Sequence, residues 1–100
     1  MRNRPLVLAI ALTESNVNYN AKHQDSFTIG IGGIKSIFWS DLLGDVSPNS
    51  LEAIDIIISH LIEKNNGNIY KAIADYKGAD KNMKTTDKCW KLYKQMEKQQ

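Results

Sequence analysis

Glu14 is the residue whose type and position most ask for an explanation. It closes the run LVLAIALTE, following Leu6, Val7, Leu8, Ala9, Ile10, Ala11 and Leu12 with only Thr13 between. A carboxylate drawn toward a core costs free energy unless it is paired or hydrogen-bonded, and the helix dipole disfavours it near a C-terminal end. Two readings follow: a solvated helix-end residue, or an acid held in a partly apolar cleft. In the second, Ile10, Leu12 and the loop from Phe27 to Ile34 supply apolar surroundings, and burial favours the protonated form needed to protonate a leaving group. The other reactive types are sparse. His23 and His60 stand far apart, with no second ligand at i+3 or i+4, which argues against a metal site. His60 falls inside an apolar helical pattern and reads as a partly buried, satisfied histidine. His23 lies in a polar loop, where it can at most hydrogen-bond a ligand. The lone Cys89, beside Trp90, has no disulfide partner within the chain and reads as a packing thiol. The cluster Gly30, Ile31, Gly32, Gly33 is too short for a dinucleotide fingerprint and is not set in a strand–helix unit. Its glycines imply positive φ or a close backbone approach, either to a neighbouring helix or to a polymeric ligand. No cofactor or metal is expected.

The elements that must position these groups are mainly α-helical. Pro5–Ser15 reads as a helix with Pro5 in its first turn and Leu8, Ala11 and Leu12 on one face. Asn16, Asn18 and Asn20 break it and open a long irregular stretch, a kind that inside a compact domain is usually functional or mobile. At most one short strand, Phe27–Ile31, is expected there. SIFWSDLLG reads as a short helix closed by Gly44. SPNSLEAIDIIISHLIEKNNG is the clearest helix, with Ser47 or Asn49 as cap and Glu52 three residues after Asn49. Leu51, Ile54, Ile57, Ile58, Leu61 and Ile62 form its buried stripe, and Gly67 stops it. NIYKAIADYKG follows with Asn68 as cap and Gly78 as stop. TTDKCWKLYKQMEK makes the last helix, capped by Thr85 or Thr86, with Cys89, Leu92, Tyr93 and Met96 inward. The expectation is one lysozyme-like helical domain over residues 1–100, about five helices with a Gly-rich loop and little or no strand.

Three motifs in order carry a resemblance. LAIALTESNVNYNA is an apolar helix ending in Glu-Ser with an asparagine-rich turn, TIGIGGIK is a glycine loop, and ADYKGA follows from Ala74. Across roughly residues 5 to 93 the chain resembles the lytic transglycosylase (SLT) domain, a goose-lysozyme-like family that cleaves peptidoglycan glycan strands. The family's second motif reads Gly-Leu-Met-Gln, so Gly32 stands for the methionine and Gly33 for the glutamine. Its third reads Ala-Tyr-Asn-Ala-Gly, so Lys77 stands for the asparagine and the next pair is inverted. The resemblance implies Glu14 as the single catalytic residue. It would first protonate the glycosidic oxygen and then deprotonate the C6 hydroxyl of N-acetylmuramic acid, giving a 1,6-anhydro product. By the same resemblance Ser15, Gly30, Ile31, Gly32, Gly33, Ile34 and Tyr76 contact substrate. Ser15 has an equal alternative as a hydroxyl bonding back one turn, Tyr76 as a half-buried core tyrosine, and the glycines as a helix-packing loop. A lysozyme-type hydrolase on the same fold would need a water-positioning acid, with Asp25 and Asp41 the nearby candidates. A non-catalytic glycan- or partner-binding module is the alternative of another class.

Composition bounds these readings. An apolar fraction of 42% and a charged fraction of 24% suit a globular domain with one core. Net charge is +2, but residues 1–63 carry −3 and residues 64–100 carry +5. The last helix is therefore basic and amphipathic, most simply a solvated face, and nucleic acid is not expected as a partner. No apolar run approaches the roughly 18 residues of a membrane span. MRNRPLVLAIAL imitates a signal peptide, but its apolar run is short and no small-x-small cleavage site follows, so a structural helix is expected. The resemblance implies peptidoglycan as partner, a monomer, and a periplasmic, envelope or secreted location, with or without a longer parent chain.

Overall fold

The computed structural model describes residues 2–23, 28–77 and 83–98. Five helices dominate: α1 (Arg4–Ser15), α2 (Ser36–Leu43), α3 (Leu51–Lys64), α4 (Ile69–Lys77) and α5 (Met83–Lys98). Between α1 and α2 lies a hairpin of two two-residue strands, β1 (Thr28–Ile29) and β2 (Ile34–Lys35), antiparallel with Thr28 opposite Lys35 and Ile29 opposite Ile34. The mainly helical expectation holds. The single strand expected at Phe27–Ile31 is instead this hairpin, because Gly30 and Gly33, at φ +66° and +59°, turn the chain back on itself.

On α3 and α5 the core is built where the periodicity placed it, whereas of the face Leu8, Ala11 and Leu12 expected on α1 only Ala11 is fully buried. Ile54, Ile57 and Ile58 of α3 are fully buried and Leu61 nearly so, with Leu51 and Ile62 flanking them half-buried. Leu6, Val7, Ala9, Ile10 and Ala11 bury the opposing surface of α1, and Ile31 drives the tip of the hairpin into the same core. Helix α1 packs on α5 and α3, and α4 bridges α3 and α5, so the C-terminal end of α1 is enclosed by the hairpin and α4. One core carboxylate, Asp55, is accounted for. Its oxygens accept from the backbone N–H of Arg2 (3.2 Å) and Asn3 (3.0 Å), which docks the start of α1 onto α3.

Two caps differ from expectation. The N-cap of α3 is Ser50, whose hydroxyl accepts from Ala53 N–H at 3.1 Å, and neither Ser47 nor Asn49 takes that role. Asn49 is occupied elsewhere: its Oδ1 accepts from Ile31 N–H (2.8 Å) and its Nδ2 donates to the Tyr19 carbonyl (2.9 Å), so it braces the glycine loop. Helix α5 starts at Met83, which puts Thr85 and Thr86 inside it; Thr86 is fully buried on the inner face with Cys89. Asn68 does cap α4, accepting from Lys71 N–H at 3.1 Å. The proposed stop at Gly78 lies outside the described residues.

Candidate active site

Helix α1 ends by passing into the left-handed region at Asn16 (φ 56°) and Val17 (φ 59°), whose N–H groups fold back onto the Leu12 and Ala11 carbonyls. Asparagine tolerates that conformation; valine adopts it at a cost, so the turn is a strained one held by its surroundings. What holds it is Ser15. Its Oγ lies 2.6 Å from the Ile31 carbonyl and 3.2 Å from that of Ala11, and it accepts from Asn18 N–H at 3.1 Å. The back-bonding reading of Ser15 is the one this geometry shows. The hydroxyl bonds back one turn, and more closely it ties the end of the helix to the glycine loop.

The loop is close-fitted from three sides. A side chain at Gly30 would overlap Asn49, one at Gly32 would meet Ile54 and the Tyr76 hydroxyl, and a Cβ at Gly33 would lie 2.4 Å from Glu14 Oε2 and 3.3 Å from His23 Cε1. The contacts under 3 Å would each force a neighbouring side chain to move, so the loop is fitted closely around glycine at all three positions. The Tyr76 hydroxyl donates to the Gly32 carbonyl at 2.7 Å, clamping α4 to the loop. His23 Nε2 lies 2.9 Å from the Gly30 carbonyl, an acceptor, so Nε2 carries the proton and donates.

Glu14 sits at the meeting point. Its side chain is 20% exposed and Oε2 lies against Gly33. To the partly apolar cleft expected for it the structure adds a cation, Lys77, whose ammonium donates to Glu14 Oε1 at 2.7 Å and to Thr13 Oγ1 at 2.5 Å while only 2% exposed. Lys77 belongs to the last turn of α4, and its buried side chain reaches Thr13 and Glu14 at the end of α1. A cavity of about 450 Å³ opens here, lined by Glu14, Gly33, Phe38, Trp39, Asp75 and Lys77 among others. Phe38 is 79% exposed, which leaves an aromatic face free at the rim.

The candidate residues thus divide. Glu14, Gly33, Ile34 and Tyr76 line the cavity together. Gly30, Gly32, Ile31 and Ser15 support it from behind, with Ile31 buried in the core. His60 is exposed, packing edge-on against Trp39 with ring centroids 6.1 Å apart. Asp41 lies exposed on α2 and does not line the cavity, and Asp25 lies outside the described residues. Sequence reasoning missed Lys77, Trp39, Phe38 and Asp75. Lys77 had a signal, its place directly after Tyr76 in the third motif. The aromatic pair had none beyond a short apolar helix. Among the described residues no cluster of three or more histidine, cysteine or acidic groups can hold a metal, and no helix is long and apolar enough to cross a membrane.

Burial pushes the Cys89 thiol up, with Lys77 working against that shift, which fits an unreactive packing thiol. Tyr76 is raised well above its usual value near 10, first by burial and then by the Glu14 carboxylate. Tyr93 is pushed up to about 12 by burial and by its hydrogen bond to Glu97. Groups raised in the folded state give stability that is complete below their unfolded value and lost as pH climbs through the folded one. Urea stability should therefore fall from pH 10 upward and continue to fall past 12. The Tyr76→Phe, Tyr93→Phe double variant should show a shallower decline, read as denaturation midpoints across pH 8–12; equal slopes would refute the assignment.

Compared with protein-family models, curated proteins and solved structures, the chain matches none of them.

Proposed function

We propose that the protein is a peptidoglycan lytic transglycosylase that cuts the β-1,4 bond between N-acetylmuramic acid and N-acetylglucosamine. The observation that carries this reading is a helix-end carboxylate, Glu14, lining a cavity of about 450 Å³ with its Oε2 beside the glycine loop. Asp75 lines the same cavity with its Oδ2 accepting from Asn65, and a one-carboxyl mechanism assigns the chemistry to Glu14. Protonated Glu14 gives its proton to the departing O4 of N-acetylglucosamine as the bond to C1 of the muramoyl residue breaks. The muramoyl C6 hydroxyl then closes on C1, and its proton returns to Glu14. Acid and base are one group, no water is consumed, and the enzyme ends as it began. Phe38 and Trp39 offer flat apolar faces for sugar rings, and the Gly33 backbone permits a glycan to lie close. Envelope or periplasmic action as a monomer belongs to the same proposal.

Lys77 favours a second reading. It already neutralises Glu14, which suits a glycan-binding module without turnover on the same fold. Mass spectrometry of purified peptidoglycan digested by the intact protein separates the cases. Anhydro-muramoyl ends are expected. Reducing muramic acid ends would replace the proposal with a hydrolase, and binding without new ends would replace it with the non-catalytic module.

A further inference from the structure

We propose that Lys77 is a positioning residue for Glu14, holding the carboxyl in its working orientation. The inference rests on the transglycosylase reading for its kinetic part and on geometry for the rest. Thr13 Oγ1 lies 3.1 Å from both the Ala9 and Ile10 carbonyls, so the hydroxyl that receives Lys77 is itself fixed to the helix backbone. The ammonium, anchored there, grips Oε1 of Glu14 at 2.7 Å. With Oε1 clamped, Oε2 is the oxygen left beside Gly33 and the cavity. A free glutamate at a helix end samples several rotamers; this one has a fixed partner on each side. The residue at this position is a cation in the last turn of α4, where the helix dipole also stabilises it.

Lys77→Met and Lys77→Gln remove the charge, the second while keeping a donor, and Lys77→Arg keeps the charge. With purified peptidoglycan, kcat should fall about tenfold or more in Lys77→Met with KM near the wild-type value, and Lys77→Arg should recover part of that loss. A readout free of turnover accompanies this: the Glu14 side-chain ¹³C resonances in labelled protein should move further from their wild-type positions in Lys77→Met than in Lys77→Arg. Wild-type kcat and unmoved resonances in Lys77→Met would overturn the proposal. If wild type releases no glycan ends, the catalytic reading fails by itself, and the resonances still decide whether Lys77 positions Glu14.

Discussion

Glu14→Gln is expected to lower the release of anhydro-muramoyl ends by about 10²- to 10⁴-fold, the range that a positioned acid–base group contributes. The substitution is chosen because it keeps shape. A glutamine oxygen can still accept from Lys77, so the ammonium, 2% exposed, is not left without a partner. Truncation to alanine would strand that cation and confuse lost chemistry with lost stability, since breaking a buried pair from one side is strongly destabilising. Glycan binding should persist, because the cavity walls, Phe38, Trp39 and the glycine loop are untouched. The measurement is product formation by mass spectrometry together with a thermal melt of the same sample. Full activity in Glu14→Gln with an unchanged melt would remove Glu14 from the mechanism. Lost activity with a collapsed melt calls for Glu14→Asp, which keeps the charge and shortens the reach by one methylene; it should fold, and it should still be slow.

The helices were legible because their apolar spacing is a property of single segments. The α3 stripe Ile54, Ile57, Ile58, Leu61 needs no knowledge of its partners to be read as a buried face. Caps were less so, because several residues in SPNS can cap and tertiary contacts choose among them. Asn49 was drawn away to brace Ile31 and Tyr19, leaving the cap to Ser50. The site was legible in its outline: the end of α1, a glycine loop and the tyrosine of α4 do converge, as their order along the chain suggested. Its electrostatics were not. Whether Glu14 meets apolar surface or a cation depends on where one long side chain 63 positions away places its ammonium, and no periodicity encodes that. The aromatic rim was hidden for a related reason. Nothing in the short run SIFWSDLLG marks Phe38 and Ile37 as surface residues, yet they are 79% and 72% exposed.

Under the transglycosylase proposal, Gly33→Gln, which installs the glutamine that the resembling family carries, is expected to lower glycan cleavage and not to raise it. Gly33 holds φ +59°, where an L-residue pays about 1–2 kcal/mol. For a chain of this length that strain corresponds to a fall of several degrees in Tm. The steric term is specific to the site. The new Cβ would lie 2.4 Å from Glu14 Oε2, and the carboxylate cannot simply retreat because its other oxygen is held by Lys77. Relief requires either breaking that 2.7 Å bond or displacing the loop, which Ser15, Asn49 and Tyr76 hold through Ile31 and Gly32. Each route moves the reacting oxygen, and misplacement on the scale of 1 Å can cost on the order of 100-fold in rate. Gly33→Ala isolates the Cβ from the amide. A loss of tenfold or more in kcat/KM in both variants, alongside the lowered Tm, would show that this loop was built around glycine at that point. Wild-type kcat/KM in Gly33→Gln with a loss confined to Gly33→Ala would show that the amide fills a vacant role, and the account of Gly33 as space reserved for Glu14 would fall.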